Sequence, residues 1–215
     1  GPGGSVSSGQ RAVVSLAGIA GLTYSNASPT DVFRVGLKGT ASQSGAPGVS
    51  SLTLAQTNLI VTSTLGIADF GGSNDGGTGQ LYLGQTNVLH VGAVTMSNSR
   101  SDSLLQFAAG TTSPTLVIRG TDATGPTGTW LVGSVGQYPT ASKTSFTSVV
   151  DLSAGTTDAQ VSALTIGQAN CTSSGRGGTM RSSFTMGSGT LAVGTIKVGR
   201  ISGSPGGAGT NGVAG

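Results

Sequence analysis

The chain has 215 residues, with ten Lys and Arg against seven Asp, no Glu and a formal net charge of +3; only 8% of its residues are charged and 39 are Gly. A globular domain usually carries about a quarter charged residues, so the surface must be covered mainly by Ser, Thr, Gly, Asn and Gln, as in secreted or surface-exposed proteins. The cations are scattered singly, which excludes the clustered patch that nucleic acid needs. The single Cys171 excludes an intramolecular disulfide and a multi-cysteine zinc site, and no apolar run reaches the roughly 18 residues of a membrane span.

Residues 1–10, opening Gly1-Pro-Gly-Gly4, have the composition of a flexible segment. Residues 11–202 are read as one repetitive β domain, with a short capping helix or strand near Arg11 to Ala20. Apolar residues then recur at a period of two: Leu65/Ile67, Leu89/Val91, Leu116/Ile118, Trp130/Val132, Leu164/Ile166, Leu191/Val193 and Ile196/Val198. Gly follows many of these pairs, as at Gly92, Gly120, Gly133, Gly194 and Gly199. Short apolar alternations broken by Gly do not sustain helices, which need about three uninterrupted turns. Residues 203–215 return to a Gly-rich tail or linker composition.

One phrase returns along this domain: Leu52-Thr-Leu-Ala-Gln-Thr-Asn58, Leu81-Tyr-Leu-Gly-Gln-Thr-Asn87 and Leu164-Thr-Ile-Gly-Gln-Ala-Asn170. Apolar residues two apart followed by Gln and Asn at fixed offsets suit an inward-facing strand and a tight turn. Gln56, Gln85 and Gln168 with Asn58, Asn87 and Asn170 are therefore predicted at repeat corners, where Asn tolerates the left-handed conformation and ladders to the Asn above. A second alignment sets Leu105-Gln-Phe107 against Phe184-Thr-Met186, and Thr115-Leu-Val-Ile118 against Thr190-Leu-Ala-Val193. An antiparallel sandwich gives no reason for a phrase to return. The prediction is an all-β, right-handed parallel β-helix, or β-solenoid, with degenerate rungs of about 20–30 residues.

The Leu-x-Leu-Gly-Gln-x-Asn phrase, Ser99-Arg100-Ser101 and the Phe107 to Gly120 segment resemble repeats of large secreted β-helix proteins, including autotransporter-like surface proteins. The resemblance spans roughly Leu52 to Gly199. It implies a structural role at a surface or outside the cell, and it carries over no catalytic residue, because the matching positions belong to strands and turns.

Chemistry-bearing residues are sparse. Glycoside hydrolysis by the usual route needs two facing carboxylates, yet Asp31, Asp69, Asp75, Asp102, Asp122, Asp151 and Asp158 never fall two apart on one strand. Asp beside Gly and Thr ordinarily closes turns. His90, the only histidine, alternates outward between Leu89 and Val91; no Gly-x-Ser-x-Gly elbow supports a Ser-His-Asp triad. Gly76-Gly-Thr-Gly79-Gln-Leu81 begins like a calcium-binding β-roll repeat but has Leu81 where the ligand Asp belongs. Gly207-Ala-Gly209-Thr-Asn-Gly212 lacks the strand and helix of a dinucleotide site. No cofactor or metal is expected. The function expected is a non-enzymatic structural or adhesive solenoid, secreted or on a cell surface, that associates with itself or neighbouring repeats, with polysaccharide as the alternative partner. The rivals are a carbohydrate-active β-helix enzyme and a module binding carbohydrate or ice through outward Thr and Asn ladders.

Overall fold

The computed structural model describes residues 11–26, 28–36, 48–69, 77–98, 101–136, 145–170, 179–202 and 212–214. All regular structure among them is strand. Coil 11–36 carries β1 (Arg11–Ser15), β2 (Gly21–Ser25) and β3 (Val32–Val35); coil 48–69 carries β4 (Val49–Thr53) and β5 (Thr57–Ile67). Coil 77–98 carries β6 (Thr78–Leu83) and β7 (Thr86–Asn98), and coil 101–136 carries β8 (Asp102–Phe107), β9 (Thr115–Arg119) and β10 (Thr127–Gly136). The long β11 (Ser145–Asn170) and β12 (Thr179–Ser202) each run through a whole coil, and β13 (Gly212–Ala214) pairs with the start of β12. Every pairing is parallel and joins one coil to the next, so the chain is a parallel β-solenoid.

Three stacks of strands form its walls, and each has an inward column set by the alternation of side chains along a strand. The first wall stacks Val14, Leu52, Leu81, Leu105, Val150 and Phe184. The second stacks Tyr24, Ile60, Leu89, Ile118, Ala159 and Leu191, and the third Phe33, Leu65, Val94, Trp130, Leu164 and Ile196. Apart from the exposed end members Val14 and Ile196, these columns meet in one apolar core, where Trp130 of the third wall packs edge-on against Phe184 of the first, ring centroids 5.1 Å apart. Of the predicted inward residues, Leu54, Leu81, Leu83 and Leu164 are buried, while Leu52 and Ile166 pack against the core partly covered.

A kink recurs within the third wall. Gly36, Ala68, Ser97, Gly133, Gly167 and Gly199 all have positive φ, from 48° at Ser97 to 101° at Gly36. Each directly follows a member of the inward column Val35, Ile67, Met96, Val132, Ile166 and Val198. The left-handed conformation costs an L-residue with a Cβ about 1–2 kcal/mol, which explains Gly at four of the six positions. Of the Gly residues that follow an apolar pair, Gly133, Gly167 and Gly199 mark this kink, whereas Gly92, Gly120 and Gly194 lie outside the left-handed region.

Coil spacing is uneven. Asn58 and Asn87 lie 29 residues apart, whereas Ser103 and Ser148, also on adjacent coils, lie 45 apart. Residues inserted between strands lengthen the coil beyond the expected 20–30 without changing its neighbours' register. The alignment of Leu105-Gln with Phe184-Thr is present in the register, through Val150-Asp. That of Thr115–Ile118 with Thr190–Val193 is two residues out, since Ile118 stacks through Ala159 on Leu191. The segment Arg11 to Ala20 starts as strand β1, and the Gly-rich stretch read as a tail contains β13.

Candidate functional surface

The first two phrases occupy equivalent corners between the first and second walls. Asn58 and Asn87 are in register and buried. Asn58 Nδ2 donates to the Ala55 carbonyl at 2.8 Å and to Asn87 Oδ1 at 2.9 Å. Asn87 Nδ2 donates to the carbonyls of Gly84 at 2.8 Å and Thr115 at 3.0 Å, and its Oδ1 accepts the Gly84 N–H at 3.0 Å. Neither Asn has positive φ, which corrects the expected left-handed corner: the amides satisfy buried turn backbone that would otherwise be orphaned. A Cβ on Gly84 would lie 1.7 Å from the Ala55 carbonyl oxygen, so only Gly lets these turns stack. Gln56 Nε2 reaches back to the Ala17 carbonyl at 3.1 Å, while Gln85 reaches forward, donating to the Thr112 carbonyl at 2.6 Å and accepting its N–H at 3.0 Å. Both glutamines stitch adjacent coils.

The third phrase lies elsewhere. Leu164 belongs to the third wall with Trp130 and Ile196. Gln168 and Asn170 continue the same strand, paired with Ser134 and Gly136 of β10 and with Arg200 and Ser202 of β12. They are not corner residues, because Leu164-Thr-Ile-Gly167 is the kink motif of the third wall. The Asn column accordingly continues into Leu22 on one side and Leu116 on the other. The sequence reading missed a buried hydroxyl column. Ser97 Oγ donates to Ser103 Oγ at 2.6 Å, Ser103 and Ser148 bond at 2.8 Å, and Ser182 lies next in register. Its signal is a Ser two residues before the first inward apolar residue, as in Ser103/Leu105, Ser148/Val150 and Ser182/Phe184.

Each described carboxylate has a partner that fixes backbone or joins coils. Asp31 accepts from Tyr24 Oη at 2.9 Å and Thr62 Oγ1 at 2.8 Å, and Ser63 Oγ donates to its carbonyl. The hydrogen bond to this carboxylate raises the Tyr24 pKa. Asp69 accepts from Asn98 at 3.0 Å and lies 3.7 Å from Arg34, and Asp158 pairs with Arg119 at 2.6 Å. Asp102 accepts the Thr147 N–H at 2.8 Å. Asp122 accepts the N–H groups of Gly125 and Thr124, and Asp151 the hydroxyl and N–H of Ser153, which lower both carboxyl pKa values. No group of three or more His, Cys or Asp among the described residues could hold a metal ion. His90 is half-buried on β7, in register with Val61 and Arg119. Cys171, Asp75 and most of the Gly207–Gly212 string lie outside the described residues.

The outward side of the second wall carries a regular column. Thr57, Thr86, Thr115, Thr156 and Ser188 stack in register on successive coils and are all exposed. Beside them Leu59, Val88 and Val117 form a half-buried aliphatic column. No protein-family model, curated protein or solved structure matches the chain. No helix among the described residues is long and apolar enough to cross a membrane.

Proposed function

We propose that this chain is a non-enzymatic structural or adhesive segment of a secreted or cell-surface protein, a stiff rod with a polar coat. The observation that carries this reading is the use of the carboxylates: Asp122 and Asp151 close turns, and Asp31, Asp69, Asp102 and Asp158 bind partners on their own or the adjacent coil. Acid–base hydrolysis of a glycosidic bond would need two of them aimed at one substrate. The composition, poor in charge and rich in Ser, Thr and Gly, and the resemblance to secreted β-helix repeats support placing it outside the cell. The open terminal edges can pair with further coils, of this chain's own kind or of a longer protein.

The experiment is a panel of soluble polysaccharides incubated with the purified chain, with released reducing ends as the readout, alongside small-angle scattering for shape. Absence of product and an elongated scattering envelope are expected. Turnover abolished by a single Asp→Asn substitution would overturn the non-enzymatic reading.

A further inference from the structure

We infer that the Thr column of the second wall binds a neutral, extended polysaccharide chain lying along the solenoid axis, with one sugar unit per coil. The inference rests on the adhesive reading above and names what the rod adheres to. The hydroxyls of Thr57, Thr86 and Thr115 are exposed and form no hydrogen bond among the described residues, whereas Thr156 and Ser188 bond each other at 2.8 Å. Each free Thr offers one donor and two lone pairs, repeated at the strand spacing of about 4.8 Å. That interval approximates one pyranose ring of an extended β-1,4-linked polymer.

The surroundings select the occupant. Leu59, Val88 and Val117 present methyl groups to the C–H face of a sugar ring, and no free charge interrupts the two columns over coils 48–69 to 101–136. Farther along, the Asp158 carboxylate is engaged by Arg119. An anionic polymer finds no cation there to pair with. The three free Thr residues span about 10 Å at the strand spacing, and with their aliphatic neighbours cover roughly 150 Å². A stable protein interface needs about 800 Å² per partner, so the strip is too narrow for a second protein and wide enough for one polymer chain.

The test is depletion of the full chain from solution by microcrystalline cellulose and by microcrystalline chitin. Saturable retention on at least one is expected, unchanged by raising salt to about 0.5 M because no charges are paired. T57V/T86V/T115V keeps shape and strand propensity and should weaken retention at least tenfold, about 1.4 kcal/mol. T86K/T115K should abolish it. T129K/T147K, on the other two walls, should bind as the parent does, and an unchanged melting temperature certifies the fold of each variant. Retention on neither polymer, retention lost in salt, or equal binding by the second-wall variants overturns the inference. So does arrest of ice growth by the parent that T86K removes, which would assign the column to a water lattice. None of these outcomes alters the scattering envelope or the product assay, so the broader reading stands or falls separately.

Discussion

Val132 and Val198 occupy the same inward column of the third wall, each as the last apolar residue before a left-handed Gly, yet Val132 is fully buried and Val198 is 60% exposed. Trp130 and Ile196 repeat the contrast at 0% and 59%. Local sequence is alike in the two coils and neighbours are not: coil 101–136 has a coil on each side, whereas among the described residues 182–202 pair with a coil on one side only. In a solenoid, burial belongs to the interface between coils, and the same motif changes value with its place in the stack.

The contrast can be broken most severely by charge. Leu83→Asp places an unpaired carboxylate in a dry core, costing several kcal/mol against a total stability of roughly 5–15, and should abolish cooperative unfolding in calorimetry. Val198→Asp should leave the melting curve nearly unchanged. Truncating Trp130 to Ala should cost about 3–5 kcal/mol by denaturant titration, while Ile196→Ala should stay under about 1 kcal/mol. Equal losses in either pair would refute the dependence on neighbours.

The Asn ladder gives a smaller test. Asn87→Ala leaves Asn58 Nδ2 short of a partner and the Gly84 N–H and carbonyl without theirs. It should cost about 2 kcal/mol, against about 1 for Asn58→Ala. Among the kinks, Gly199 has open space around it and φ of 64°, so Gly199→Ala should cost only the conformational term of about 1 kcal/mol. Gly133→Ala should cost more, because its Cβ would fall 2.3 Å from Ser182 Oγ and 2.9 Å from Met180 Sδ. The smallest effect is acidic. The Asp122 and Asp151 pKa values are lowered in the folded state, so their contribution is complete above the ordinary carboxylate value of about 4. It is lost as the pH falls through the depressed folded values. Asp122→Asn and Asp151→Asn should each flatten that acid limb of the stability curve.

Much of this fold was legible in two phrases. Leu52 and Leu81, with Asn58 and Asn87, share one register because a turn closed by a buried amide tolerates little change between coils. The third phrase misled for a physical reason. Inward alternation is common to all three walls, and Gly after Leu-x-Ile serves a left-handed kink at Gly167, whereas Gly84 serves a close approach of backbones. The sequence writes both as the same letter. The Thr column was hidden because Thr115 follows a corner longer than that before Thr86 and sits among many other Thr residues, so only register reveals its alignment. Asp roles were readable in type, since Asp122 and Asp151 do close turns, but the pairing of Asp158 with Arg119 spans 39 residues and depends on the coil spacing.

The central claim is that stability resides between coils, and native-state hydrogen exchange resolved by residue tests it most directly. Backbone amides of 59–67, 88–96 and 129–135 should exchange only through global opening, whereas those of 11–15 and 188–202 should exchange through cheaper local opening. Uniform protection from Arg11 to Ser202, or protection greatest in coil 179–202, would contradict it.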